Sequence, residues 1–342
     1  MGEIMKHSVD LKKYNLRTDL IIDKDDNFKN DFSEEVEGIK VLNVELNDND
    51  ALKLNKKIGR YITIEFSDVT DKDNRANLEL TLTKHLKEII SSTTKKNENC
   101  LIIGLGNKES TPDSLGPKVI ENITITRHLY LLNMLDPEYR IISAFIPGVS
   151  GTTGIETKDL IKNAIDSVKP DFIIVIDALA SSSIERVNKT IQITNTGISP
   201  GSGVGNSRKE LSFDTLGIPV IALGIPTVVD LPTIVSDTIK YMHKNYAFNK
   251  EFINNPINKL VSPTKINYLK NKIDIKDEDK SQLLGLVGTL SEYEIKELIK
   301  EVLTPIGYNM MITPKEIDFD IKCLSNVISN SINKALKKTN NC

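Results

Sequence analysis

The sequence has few of the residues that build metal and redox sites. Its 342 residues include three cysteines, four histidines and no tryptophan. The cysteines are widely scattered without a CxxC pair, and the histidines form neither an HExxH motif nor a cluster. Zinc knuckles and dithiol redox motifs are therefore disfavoured, and reduced thiols are expected. We predict neither a metal centre nor a cofactor.

Long apolar runs and an excess of positive charge are also missing. No run approaches the roughly 20 residues of a membrane span, and the polar N-terminus lacks the apolar middle of a signal peptide. The net charge of −3 gives no sign of a basic surface for nucleic acid. These absences predict a cytoplasmic protein that binds neither membranes nor nucleic acid.

Short apolar runs alternate with segments of helical periodicity, and a hydrophobic content of 39% suffices for a sizeable core. This alternation predicts an α/β fold, with three α/β/α layers around a mainly parallel, mixed sheet. We expect one domain over residues 20–342, a removable polar arm at 1–19 and a polar insertion at about 246–282. Strands are predicted at 61–66, 100–103, 140–146, 172–176, 190–194 and 218–223, and helices at 76–92, 117–133, 157–168 and 231–245.

Two aspartates follow two of these apolar runs. Leu101–Pro117 reads as a buried strand, a glycine turn, a loop that carries Asp113, and a helix start with proline in its first turn. The run Phe172–Ile176 is expected to end its strand at Asp177. Open α/β sheets hold their sites at the carboxyl ends of parallel strands, so the two carboxylates are predicted to meet there.

Two close carboxylates share a proton, because both cannot ionise cheaply side by side. One can then act as a base towards water and the other as an acid. Each residue also has a structural explanation, since Asp113 suits a turn near a helix N-terminus and Asp177 suits a cap or turn. The pair is more informative than either member alone.

Two glycine-rich loops, at 147–154 and 201–206, complete the candidate site. Backbone N–H groups can converge in such loops on an anion or a peptide carbonyl, and basic residues beside the second loop add positive potential. A mobile surface loop is the competing explanation for the second loop. The candidate substrate-binding residues are Gly148, Gly151, Gly203, Gly205, Arg208 and Lys209.

Other catalytic motifs are incomplete. Gly104 and Gly106 begin a dinucleotide-type glycine pattern, but Glu109 stands where its third glycine would be. Ser150 and Ser202 lie in glycine loops that do not match the nucleophile elbow, and neither loop contains a histidine. Nucleotide binding and a serine triad are therefore disfavoured.

The motifs as a set resemble those of the germination proteases, the spore endopeptidases of endospore-forming bacteria. The resemblance extends over nearly the whole chain and includes GLVGTL and NMMITPKEID near its end. Its longest motifs, in chain order, are IIGLGN…TPDSLGP, IPGVSGTTGIET, KPDFIIVIDALA, TGISPGSGVGNSRKELS and LGIPVIALGIPTVVD.

The resemblance implies an endopeptidase of the spore core that begins the degradation of small acid-soluble spore proteins during germination. The family is made as an inactive, homotetrameric zymogen that removes its own propeptide. It is classed as an atypical aspartic peptidase, and its two implicated aspartates fall by motif on Asp113 and Asp177. The implied fold is similar to that of hydrogenase maturation proteases, whose carboxylates and histidine bind a metal.

The resemblance also implies a processing site, because the family cuts after an acidic residue that precedes a hydrophobic one. Asp19 and Leu20 match this pattern at the boundary of the polar arm, so we predict cleavage between them. An acidic residue before the cut calls for a basic pocket. We assign that pocket to Arg208 and Lys209, with Arg186 in reserve.

Three alternatives stay open on the sequence alone. The first is a metal-assisted peptidase of the same fold with the aspartates as ligands, which chelation would inactivate. The second is a non-catalytic module whose glycine loops bind an anion. The third is a phosphorylase or nucleoside hydrolase, since three-layer α/β folds host many chemistries.

Overall fold

A mixed nine-stranded sheet forms the centre of the computed structural model, which describes residues 19–24, 34–94, 98–201, 209–254, 276–303 and 310–338. The strands are β1 (Glu34–Val36), β2 (Ile39–Leu46), β3 (Gly59–Phe66), β4 (Asn99–Gly104), β5 (Ile141–Phe145), β6 (Phe172–Ser181), β7 (Thr190–Thr194), β8 (Val220–Asp230) and β9 (Met311–Ile312).

Helices connect and cover these strands. They are α1 (Asp48–Leu54), α2 (Lys72–Thr93), α3 (Leu115–Ile120), α4 (Arg127–Leu131), α5 (Ser150–Thr153), α6 (Thr157–Val168), α7 (Phe213–Leu216), α8 (Leu231–Asn254), α9 (Asp277–Gly288), α10 (Glu292–Leu303) and α11 (Ile317–Ala335). Within the described ranges, none of them is long and apolar enough to cross a membrane.

The strand order is β1-β2-β3-β7-β8-β6-β4-β5, and β9 pairs with β8. β8, β6, β4 and β5 run parallel, whereas the pairs from β1 to β8 on the other side are antiparallel. The predicted α/β class with a mixed sheet is confirmed. The parallel half contains both strands that sequence analysis associated with the site.

Helices lie on both faces of the sheet. One face packs against α2, α3 and α11 in the largest apolar cluster, which alternate residues of β4 and β6 share. On the other face, Ile161 and Ile165 of α6 pack against Ile173 and Val175 of β6. β6 is therefore buried on both sides, which explains why its apolar run is continuous rather than alternating.

Two segments differ from their predicted form. The single helix expected at 117–133 is divided into α3 and α4, because Thr126 between them bonds to the sheet instead of continuing a helix. Its hydroxyl donates to the carbonyl of Arg140 at 2.5 Å and accepts from the amide of Ile142 at 2.8 Å. Both ends of the predicted insertion at 246–282 are helical, in α8 and α9, and residues 255–275 lie outside the described residues.

A glycine pair sets how closely α3 approaches the end of β4. A Cβ on Gly104 would lie 2.4 Å from the carbonyl oxygen of Gly116, and a Cβ on Gly116 would lie 2.2 Å from that of Leu105. Real Cβ atoms do not approach so closely, so both positions need glycine. The contact fixes the chain on either side of the turn that carries Asp113.

Replacement of Gly116 by alanine should therefore disturb this junction. We expect Gly116→Ala to lower the free energy of unfolding by about 1–3 kcal/mol or more, as overpacking does. The matched control is Gly151→Ala in α5, where a Cβ meets nothing within 4 Å. Denaturant titration of both variants is the measurement, and equal midpoints would contradict the close-approach explanation.

Candidate active site

Asp113 ends a short 3-10 turn that follows β4. Its Oδ2 accepts a hydrogen bond at 2.9 Å from the amide of Asn107, which also reaches the Asp113 carbonyl at 3.0 Å. Gly106 permits this fold-back, since its φ is +115° and a Cβ there would lie 2.0 Å from the Asp113 carbonyl oxygen. The hydroxyl of Thr227 in β8 donates to the carbonyl of Pro112 at 2.7 Å and ties the turn to the sheet.

Asp177 lies inside β6, so the prediction that its strand ends there was wrong. β6 continues to Ser181 because β8 keeps pairing with it beyond the apolar run, in a register that joins Asp177 to Gly224. The Asp177 side chain is almost fully buried at 5% exposure. Its Oδ1 accepts from the amide of Ala178 at 3.0 Å.

The structure brings both aspartates to the same end of neighbouring strands. β4 and β6 are parallel, and Gly104 pairs with Ile176 where β4 ends. The amide of Leu105 still donates to the Ile176 carbonyl at 2.8 Å, so the chain leaves β4 directly beside Asp177. The turn that ends in Asp113 packs against β6 and β8. Both carboxylates thus belong to the carboxyl end of the parallel half.

A row of paired residues crosses the sheet at the level of Asp177. Asp177 pairs with Gly224, and Gly224 pairs with Gln192 of β7. Paired residues on adjacent strands project to the same face, so these positions share one surface. Gly224 leaves room there for the side chain of Leu179, which lies 2.5 Å from where a Cβ would be.

A cavity of about 470 Å³ opens beside Gln192 and Gly224 of this row, and neither Asp113 nor Asp177 lines it. Gln192, Gly224 and Leu179 contribute to its wall, together with Asp19 and Lys56 from outside the sheet. Volumes of this size are typical of sites that hold a small molecule or a few peptide residues.

The segment that begins at Asp19 is seated against β6. The Asp19 amide donates to the Ala180 carbonyl at 3.1 Å, and the Ala180 amide donates to Asp19 Oδ2 at 3.0 Å. Leu20, Ile21 and Ile22 then have no exposed surface. An aspartate side chain and a short apolar segment are thus bound at the end of the strand that carries Asp177.

The main-chain carbonyl of Asp19 faces two side-chain donors. Lys56 Nζ donates to it at 2.8 Å, and Gln192 Nε2 at 3.3 Å. Burial lowers the pKa of Lys56 to about 8, although the nearby Asp19 carboxylate opposes the shift. Burial also lowers the pKa of Lys24, which lines the same cavity. Two lysines therefore lie close to Asp19, whose carboxylate favours their charged forms while burial disfavours them.

Arg186 is engaged elsewhere. One of its guanidinium nitrogens lies 2.7 Å from Asp23 Oδ1, and its Nε lies 3.1 Å from Glu65 Oε1. Asp23 Oδ2 also accepts from the amide of Ser182 at 2.8 Å, so this ion pair anchors the segment just after Leu20. Because two carboxylates already neutralise Arg186, it does not supply the reserve basic pocket considered from sequence.

The predicted glycine loops are only partly described. Gly148, with φ +73°, precedes α5, and the exposed Gly151 lies within it. Both residues follow β5, which is parallel to its neighbour β4. They therefore lie at the same carboxyl end of the parallel strands as the aspartates. Lys209 is exposed. The other three candidate residues lie outside the described residues: Gly203, Gly205 and Arg208.

In the ranges that the structure describes, no three His, Cys, Asp or Glu side chains come together in a group that could hold a metal ion.

Sequence reasoning missed Lys56, Lys24 and Gln192. The two lysines lie in polar segments rich in lysine and carry no distinguishing pattern. Gln192 does leave a signal, because it is an amide in the otherwise apolar and β-branched strand TIQIT. A buried amide side chain in such a strand needs partners, which marks the position as a candidate for a site.

The comparison with known sequences identifies the family. Residues 16–342 match the sequence model of a family described as germination protease. The germination protease of Bacillus licheniformis is 46% identical over 97% of this chain and 96% of its own length. Those of Bacillus subtilis and Priestia megaterium are 43% and 42% identical with the same coverage. The chain is therefore a peptidase. It belongs to the germination protease family.

One solved structure offers a weaker likeness. The [NiFe] hydrogenase maturation protease HycI from Thermococcus kodakarensis KOD1 is 17% identical, with a TM-score of 0.26. The overlap covers 42% of this chain and 80% of that one. This likeness is too limited to support an argument about activity.

The ion pair between Arg186 and Asp23 should stabilise the packing of residues 19–23 against the sheet. We expect Arg186→Met to lower the free energy of unfolding by about 3–5 kcal/mol, because it leaves the buried Asp23 carboxylate without its cation. The double variant Arg186→Met/Asp23→Asn should recover part of that loss. Denaturant midpoints of the single and double variants measure both effects, and additive losses would contradict the pairing.

Proposed function

We propose that the chain is the zymogen of a spore endopeptidase that uses Asp113 and Asp177 to activate water. Its first substrate is its own peptide bond between Asp19 and Leu20. The observation that carries the proposal is the seating of Asp19 against Ala180, on the strand that contains Asp177.

The contacts on either side of this bond account for a preference in cleavage. An acidic side chain before the cut gains the hydrogen bond from the amide of Ala180 and the field of Lys24 and Lys56. An apolar side chain after the cut gains full burial, as Leu20 does. An acidic residue followed by a hydrophobic one fits both positions. These contacts offer a basis for the acidic preference in addition to Arg208 and Lys209, the basic residues expected from the sequence.

The two aspartates divide the chemistry between them. A water molecule at the carboxyl end of β4 and β6 loses a proton to one carboxylate and attacks the carbonyl carbon. The other carboxyl group, in its protonated form, donates a proton to the leaving nitrogen. Asp113 follows the end of β4, and Asp177 lies beside that end in the parallel strand β6. This position supports the pairing, because substrates reach open α/β sheets at the carboxyl ends of their strands.

The biological context comes from the family. We infer that the processed protein degrades small acid-soluble spore proteins in the spore core. We also infer a homotetramer. Light scattering of the purified chain tests the assembly, and the fragments released from such a spore protein test the cleavage preference.

Loss of either aspartate should slow processing strongly. We expect the native chain to lose its residues up to Asp19, and Asp113→Asn and Asp177→Asn to do so about 10²–10⁴-fold more slowly. Asp166→Asn, on the exposed side of α6, is the matched control and should process normally. Intact mass followed over time at mildly acidic pH is the measurement.

The same time course separates the proposal from its rivals. Processing that both asparagine variants still perform would make the aspartates structural. Inactivation of the native chain by a chelator, reversed by one metal, would favour the metal-assisted peptidase. A mature N-terminus other than Leu20 would refute the assigned processing bond.

The Asp19 side chain should matter in its own right. Asp19→Ala removes the carboxylate that accepts from Ala180, so processing should slow about tenfold or more, the value of a charge-assisted hydrogen bond. Asp19→Glu keeps the charge and should retain most of the rate. Intact mass followed over time gives the processing rate of each variant. Equal rates would show that the site does not recognise the acidic side chain of residue 19.

A further inference from the structure

Two side-chain donors face the carbonyl oxygen of Asp19. Lys56 Nζ is 2.8 Å away and Gln192 Nε2 is 3.3 Å away. In peptide hydrolysis this oxygen takes up the electron pair of the carbonyl when water attacks, and it becomes an anion. Donors already aimed at it stabilise that charge without reorganisation.

We propose that Lys56 and Gln192 form the oxyanion-binding site of this peptidase, with Lys56 as a catalytic residue. The inference rests on the proposed function, because it requires the bond between Asp19 and Leu20 to be the one cut. It assigns an electrostatic role to a lysine outside both the aspartate pair and the glycine loops.

The fold fixes Lys56 through the end of α1. Asn55 adopts a left-handed conformation at φ +50°, and the amide of Lys56 turns back to the carbonyl of Ala51 at 2.9 Å. This is the geometry in which a helix stops and the chain changes direction. Ala51 and Leu54 of α1 pack in one buried cluster with Ile21, so the helix that presents Lys56 also contacts the bound segment.

The side chain of Gln192 is held by hydrogen bonds to the main chain on both sides of Leu20. Its Nε2 donates to the Asp19 carbonyl, and its Oε1 accepts from the amide of Ile21 at 2.7 Å. The side chain therefore spans the residue after the cut and holds the main chain at two points. Its strand position is set by its pairing with Thr63 and Gly224.

The two donors, Lys56 and Gln192, are placed as the bond changes of hydrolysis require. Water adds to the Asp19 carbonyl carbon, and the displaced electron pair goes to the oxygen that faces Lys56. Collapse restores the carbonyl, breaks the C–N bond and places a proton on the Leu20 nitrogen. One water is consumed: its oxygen stays on Asp19 in the new carboxylate, its two hydrogens are balanced by the protonated amino group of Leu20, and Lys56 keeps its proton throughout.

Several charged groups face Lys56. Asp19 and Asp23 favour its protonated form, whereas Lys24 opposes it. Two further charged residues, Lys57 and Glu210, line the same cavity and pair with each other at 2.6 Å. Burial is the largest effect and lowers the pKa of Lys56 to about 8. The ammonium is therefore present below about pH 8 and is lost as the pH rises through that value.

The test follows self-processing of the full chain by intact mass. We expect Lys56→Met to process about 10²–10³-fold more slowly, the effect of losing one oxyanion donor. Lys53→Met, an exposed lysine in the last turn of the same helix, is the matched control and should keep the native rate. A native rate in Lys56→Met would overturn the proposal.

A pH profile distinguishes a catalytic role of Lys56 from a role in which it only holds the segment that begins at Asp19 in place. The native processing rate should fall as the pH rises through about 8. Lys56→Arg keeps its charge at that pH, so it should process measurably and without this fall. An unchanged alkaline fall in Lys56→Arg would overturn the proposal, and this variant decides the matter even where Lys56→Met does not fold.

The aspartate variants keep the two proposals distinguishable. If Asp113→Asn and Asp177→Asn block cleavage after Asp19 while Lys56→Met cleaves normally, the oxyanion role alone is refuted. If the aspartate variants still cleave there while Lys56→Met does not, Lys56 stands and the aspartate chemistry fails. Cleavage elsewhere refutes both.

Discussion

β4 stops at Gly104 while its parallel partner β6 runs on to Ser181, so the main-chain groups of β6 beyond that point need other partners. Residue 19 meets this requirement at Ala180, through both its amide and its carboxylate. The short strand is in turn allowed by the contact between Gly104 and Gly116, which lets the chain turn away at once. The site is therefore a consequence of two neighbouring strands of unequal length.

From Leu20 onward the bound segment is held by burial and by an ion pair. Leu20, Ile21 and Ile22 are fully buried, and Asp23 pairs with Arg186. Burial of three such side chains stabilises the seated state by several kcal/mol, at roughly 1.5–3 kcal/mol each. A cut after Asp19 would thus free the preceding arm while the following residues stay part of the core.

The sequence predicted the parts of the molecule that depend on local pattern. β4 and the first half of β6 are continuous apolar runs because both faces are covered, and Asp113 stands in a recognisable turn. The continuation of β6 past Asp177 was missed, because it depends on pairing with β8 rather than on hydrophobicity. The division of the helix expected at 117–133 was missed for a similar reason, since Thr126 bonds to β5 and its flank.

The residues around the Asp19 carbonyl were beyond sequence reasoning. Lys56 reaches it through a left-handed turn at Asn55, and Gln192 through its register with Gly224. Neither relation is encoded in residue spacing. If the bond after Asp19 is cut, the new amino terminus begins inside the protein instead of on a loose end. Exopeptidases that need a free, extended terminus would find none, and the processed enzyme would be protected from the trimming that removes ordinary arms.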